Sequence, residues 1–321
     1  MNFSAPAGYR KVSSPYGFSM LGVEASAELE RKSRAAQEIV RAHGYERIMP
    51  AMIDYPETFS ENSHAEMFSV KDNSGERLAV RNDITAQVIK GYVRQLEQRK
   101  ELALRKFYYA APVYKDVRKN YPLPREIYQI GCEVIGENAD RELVSLIAIA
   151  RQILSEVFSL ASATQVSSVE LRNVFAEKLG SAYRDAESRR DAPGLAGLMQ
   201  NAFSLAEADA RKLAVSLFYP AKEAGMPVGL QFLPNEVRVA VEKAANETAA
   251  FVEKLRSSGI DAYWQPLSEP RSAYYTGIFF ETYVPGFTEP MARGGVYNDL
   301  VRRYGQFDAG ACGFALDMLK F

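Results

Sequence analysis

Apolar and polar positions alternate most clearly over residues 104–136, which predicts two long strands joined by a loop rich in proline and charge. The first strand covers about 105–117 and the second about 125–135. On the second strand Tyr128, Ile130, Cys132 and Val134 fall on one face, and Arg125, Ile127, Gln129, Gly131 and Glu133 on the other. Helical spacing holds on both sides of this pair. Leu29, Ala36, Ile39, Val40 and His43 share one face of a helix over 24–43, closed by Gly44. Leu143, Leu146, Ile147, Ala150, Ile153, Leu154, Val157 and Phe158 do the same over 140–161, a helix that must cover one face of the sheet. A third helix opens at 81–85 and runs to about 95, with Asp83 as its N-cap.

Shorter signals fill in the plan. Residues 45–51 form a strand broken by Pro50, suited to a sheet edge or an interface. Residues 67–81 form a hairpin turning at 71–76, Lys-Asp-Asn-Ser-Gly-Glu. From 172 to 234 Ala, Leu, Arg and Glu dominate, with breaks at Pro193-Gly194 and Gly225-Met226-Pro227, which predicts a helical insertion. A helix over 235–258 ends at Gly259, and strands return at 262–267, 275–284 and 310–316. The expected fold is α+β, a mostly antiparallel sheet flanked by helices, with its core in 1–171 and 235–321 and the insertion in 172–234.

Composition narrows the function classes. The 321 residues carry 39 Lys+Arg against 40 Asp+Glu, a net charge of -1, so a nucleic-acid partner is disfavoured. No apolar run approaches a membrane span, no signal-peptide block opens the chain, and two cysteines fit a reducing compartment, so a cytoplasmic protein is expected. His43 and His64 are the only histidines, too few for a histidine-based metal site or a Ser–His–Asp triad; His43 reads as a packed side chain. Neither GxGxxG nor a P-loop is present, and neither a metal nor a cofactor is expected. The charge run 184–191 reads as a solvated helix face, and Met67 and Met291 as core.

Candidate chemistry centres on the Gln129-Gly131-Glu133 face. An amide and a carboxylate bracketing a glycine would suit a small ligand carrying an ammonium or an imidazole N–H, the missing side chain leaving it room. A solvent-facing strand surface accounts for the same pattern.

In order along the chain, Gly-Tyr-Glu-Arg-Ile-Met-Pro at 44–50, the 105–136 strand pair, Tyr274-Tyr275-Thr276-Gly277 followed by Phe280-Glu281, Gly-Gly-Val-Tyr-Asn at 294–298 and 313–321 resemble five signatures of one family. These are motifs 1 and 2 of the class II aminoacyl-tRNA synthetase core, the histidine signature and GGRYD element of the histidyl-tRNA synthetases, and motif 3. The resemblance spans nearly the whole chain. It implies that Asp83, Thr85, Gln129, Glu133, Tyr274 and Tyr275 surround a bound histidine. Asp83, Gln129 and Thr85 would take the ammonium, and Glu133 with the two tyrosines the imidazole.

The chain departs from that family where ATP would be held. Lys115 stands for the motif 2 arginine, Lys320 for that of motif 3, Pro270 for the arginine ahead of the tyrosine pair (with Arg271 one place away), and Val296 for the arginine of GGRYD. Lysine keeps charge but not the planar fork that grips phosphate. Lys115, Arg125, Arg271 and Lys320 therefore read as a degenerate ATP clamp. The chain also stops at motif 3, where a synthetase continues into an anticodon-binding domain. A histidine pocket without a clamp resembles the regulatory-subunit branch of the family, which activates a short-form ATP phosphoribosyltransferase and relays histidine feedback. The partners this implies are that catalytic subunit, a second copy of this chain and L-histidine as effector. Two rivals stay open: a truncated or paralogous histidine-adenylating enzyme in which Lys115, Arg125, Arg271 and Lys320 form a working clamp, and a dimeric scaffold with a vestigial pocket.

Overall fold

The computed structural model describes residues 14–59, 67–99, 103–117, 124–219 and 226–319. Helix α1 (Val23–Ala42) leads into β1 (Glu46–Arg47) and β2 (Ile53–Asp54), and the hairpin β3 (Ser69–Lys71) and β4 (Arg77–Val80) precedes α2 (Thr85–Arg99). The long strands β5 (Arg105–Tyr114) and β6 (Glu126–Gly136) are followed by α3 (Leu143–Phe158) and β7 (Ala163–Ser168). Four helices come next: α4 (Val169–Leu179), α5 (Ser181–Ser188), α6 (Ala192–Phe203) and α7 (Glu207–Phe218). The chain closes with α8 (Asn235–Ser257), β8 (Ala262–Trp264), β9 (Ile278–Tyr283), β10 (Ala292–Val296), α9 (Asp299–Tyr304) and β11 (Gly310–Asp317).

Eight of these strands form one sheet in the order β1-β5-β6-β11-β10-β9-β7-β8, antiparallel except for its two outer pairs, while β2, β4 and β3 form a small second sheet. The alternation on β6 divides the core. Ile130, Cys132 and Val134 point into a large cluster with Ala36 and Val40 of α1 and Leu146, Ile147 and Ile153 of α3. Tyr109 and Ile135 point the other way, against Val88, Ile89, Tyr92 and Val93 of α2 and Leu300 and Val301 of α9. The opposite face of β6 is therefore covered rather than solvated, because α2 and α9 supply apolar stripes at helical spacing.

Several local expectations change. The 45–51 strand shrinks to two residues pairing parallel with β5, at the sheet edge where Pro50 cannot donate to a ladder. β7 and β10 carry no clear apolar alternation in sequence and are held by β9, which lies between them. Pro193-Gly194 is not a break: Pro193 sits in the first turn of α6, and the Asp191 carboxylate caps that turn by accepting from Gly194 N at 2.9 Å. Glu187 leaves the solvated face expected of 184–191, because its buried carboxylate pairs with Arg172 at 2.7 Å and accepts from the Tyr183 hydroxyl at 3.1 Å. His43 is exposed at the end of α1 and hydrogen-bonds Gln152 on α3 at 3.0 Å rather than packing. His64 lies outside the described residues. No helix among the described residues is long and apolar enough to cross a membrane.

Candidate functional site

On the face of the sheet that α2 covers, strand register lines side chains up in rows. One row runs Phe107, Glu133, Gly313, Gly295, Phe279; the next runs Tyr109, Gly131, Ala315, Arg293, Glu281. Where these rows cross β6, β11 and β10, most positions carry no side chain or a single methyl, so the surface sinks into a cleft of about 560 Å³. The start of α2, the 271–275 segment and the ends of β5 and β11 wall it.

Asp83, Thr85, Gln129, Tyr274 and Tyr275 all line this cleft. Asp83 serves two elements at once: Oδ1 accepts from Ala86 N at 3.2 Å, capping α2, while Oδ2 accepts from the Tyr274 hydroxyl at 3.1 Å. Glu133 lies beneath the wall, 1% exposed, with Oε1 accepting from Thr85 Oγ1 at 2.7 Å and Oε2 from the Tyr297 hydroxyl. Burial pushes its pKa from 4.5 up to about 8; the two hydroxyls pull it down, and the neighbouring Asp83 charge pushes it up. Burial also keeps the hydroxyls of Tyr274, Tyr275 and Tyr297 well above the usual tyrosine range, so all three remain donors. Their rings pack edge to face, Tyr274 lying 5.3 Å from Tyr275 and 5.5 Å from Tyr297. The cleft thus offers three carboxylates at its wall, those of Asp83, Asp116 and Asp317, one buried carboxyl beneath it, an amide and an aromatic box.

The space above Gly131 is not open to a ligand. Tyr109, its cross-strand partner, lays its ring where a Cβ would stand. The glycine admits a side chain of the protein, as Gly313 admits the Glu133 carboxyl and the Tyr297 hydroxyl, and ligand room comes instead from the single methyl of Ala315.

The described clamp positions are divided. Lys115 and Arg271 line the cleft, Arg125 does not, and Lys320 lies outside the described residues. Arg125 pairs with Asp116, and its guanidinium carbon lies 4.4 Å from the Phe68 ring centre and 5.6 Å from that of Phe18. Arg271 is bound by Glu289 at 2.8 Å, with Glu281 at 3.5 Å. Three further cleft residues carry function-bearing groups that sequence reasoning did not single out: Tyr297, Arg293 and Asp317. Tyr297 could have been found, since it lies inside the Gly-Gly-Val-Tyr-Asn element already noted. Arg293 and Asp317 have no signal before register places them beside Ala315 and Gln129.

Comparison with known proteins follows the same line. Residues 17–320 match the family described as histidyl-tRNA synthetase. An ATP phosphoribosyltransferase regulatory subunit of Anaeromyxobacter sp. is 30% identical over 319 residues, covering 96% of this chain and 91% of the relative. That of Carboxydothermus hydrogenoformans is 27% identical over 293 residues, covering 88% and 86%. The crystal structure of an ATP phosphoribosyltransferase regulatory subunit/histidyl-tRNA synthetase from Bacillus halodurans superposes with a TM-score of 0.77 at 20% identity, covering 96% of this chain and 81% of that one. This last likeness speaks to the fold, that of a class II synthetase core.

Proposed function

The chain belongs to the histidyl-tRNA synthetase family and, within it, to the ATP phosphoribosyltransferase regulatory subunits; from that premise we propose that it activates a short-form catalytic subunit and relays histidine inhibition to it. Support for the relay comes from one asymmetry in the cleft. The groups suited to a cationic, N–H-bearing amino acid converge there, whereas two arginines suited to phosphate are engaged by carboxylates of this chain. Asp83, Gln129 and Thr85 take the ammonium, and Glu133, Tyr274 and Tyr275 take the imidazole. Histidine need only prefer one state of the complex to shift it, and a few kcal/mol of differential affinity suffices.

The subunit works as a homodimer in this reading. Around the edge strand β1, Met49 is 82% exposed and Met52 and Tyr55 are about half exposed, an apolar surface continuous with the sheet edge.

The test adds this chain to a purified short catalytic subunit and follows phosphoribosyl transfer to ATP with and without histidine, while light scattering weighs the complex. Addition should raise the rate, histidine should suppress it, and the mass should contain at least two copies of this chain. Glu133→Ala should abolish the suppression while the mass of the complex stays the same. Undiminished histidine suppression in that variant would overturn the pocket assignment.

A further inference from the structure

Among the cations on the cleft wall, Arg293 has most of its hydrogen-bonding capacity in hand. A guanidinium carries five N–H donors. Among the described residues Arg293 uses one of them, from Nη2 to Glu289 Oε2 at 3.3 Å. Its Nε is buried without a hydrogen-bond partner, in a long ion pair of 3.9 Å with Glu281 Oε1, which Arg271 Nε approaches more closely at 3.5 Å. A buried donor left unpaired is costly, and a cleft-lining guanidinium in that condition is where an anionic group settles best.

Placement favours the same end of a ligand. Register sets Arg293 beside Ala315 and, one strand further, Gly131, so no bulky side chain of that row stands between it and Tyr109. It lies close enough to Tyr275 to act on that hydroxyl electrostatically. Asp83 and Gln129 stand on other walls of the same cleft. Arg271 already holds Glu289 at 2.8 Å, so Arg293 can turn to a ligand without stranding that carboxylate.

We propose that Arg293 receives the carboxylate of the bound amino acid and is the residue that separates an α-amino acid from the corresponding amine. This rests on the histidine-cleft reading above, and adds the anion site that a zwitterionic ligand requires and that the residues around ammonium and imidazole do not provide.

Calorimetry with histidine and with histamine, which lacks the carboxylate, tests it on the full chain. Wild-type protein should prefer histidine by about 10- to 100-fold, the worth of one charge-assisted contact. Arg293→Gln should lose that preference by weakening histidine binding alone, with histamine binding unchanged. Arg293→Lys, which keeps a charge against Glu289 and guards against misfolding, should fall between the two. Histidine bound equally well by wild type and Arg293→Gln would overturn the proposal while leaving the cleft reading intact. A parallel loss of both ligands in Arg293→Gln, with melting unchanged, would overturn it as well. Wild-type protein that binds neither ligand would overturn the cleft reading, and this proposal with it.

Discussion

Glu133 shows how one side chain couples the cleft to pH. Its folded pKa of about 8 stands above its ordinary 4.5, so between those values the folded chain holds a proton that the unfolded chain has released. Stability therefore falls as pH rises through that window, by up to about 1.4 kcal/mol per pH unit, and levels off above it. Glu133→Gln, neutral and nearly isosteric, removes this slope. Thermal melts from pH 5 to 8 should show wild type losing ground steadily against Glu133→Gln, and parallel melting curves would refute the assignment. A ligand imidazolium would favour the ionised carboxylate and offset the same penalty. The chemistry of this position was legible in sequence, because a carboxylate on an apolar strand two residues from a glycine is out of pattern. Its burial was not legible, since only α2 and the Tyr297 hydroxyl, distant in sequence, decide whether the face is wet. The partner of Gly131 was misread for a related reason: register, not composition, puts the Tyr109 ring there.

At the scale of elements, β11 carries the cleft floor. A Cβ at Gly313 would overlap Glu133 Oε2 and the Tyr297 hydroxyl, which hold one another by a buried hydrogen bond, and the fixed backbone carbonyl of Cys132. Gly313→Ala should cost roughly 1–3 kcal/mol by chemical denaturation and abolish histidine binding. Gly197, in α6 with nothing within 4 Å of its missing Cβ, is the contrast: Gly197→Ala should gain about 0.5–1 kcal/mol and leave binding alone. Equal effects at the two positions would mean that helix and strand propensity, not cleft geometry, governs both. The strands that alternate cleanly, β5 and β6, were readable from period alone. β7, Ala-Thr-Gln-Val-Ser-Ser, and β10, Ala-Arg-Gly-Gly-Val, were not, because cross-strand pairing and close backbone approach override weak β-propensity. Gly294 shows that approach, with the carbonyl of Gly313 and the ring of Phe280 filling the place of its Cβ.

Over the whole molecule, the proposed function requires charge placement to separate binding an amino acid from activating it. Adenylation needs fixed positive charge around the α-phosphate as the transition state forms, and arginine supplies it best. Here Arg125 is turned to Asp116 and lies against Phe68 and Phe18, and Arg271 is held by Glu289. Asp116 and Asp317 add two carboxylates to the cleft lining, where a triphosphate would meet repulsion. Lys115 remains on the wall as a point charge without the fork. Each missing donor costs about 100- to 1000-fold in rate, so histidine-dependent ATP–pyrophosphate exchange should run at less than about one ten-thousandth of a synthetase's rate. The same preparation should still bind histidine by calorimetry, which separates a silent active site from a misfolded one. Exchange at synthetase-like rates would mean that Lys115 or Arg293 serves as a phosphate clamp, or that Arg125 or Arg271 leaves its carboxylate on binding ATP, and would favour the histidine-adenylating reading.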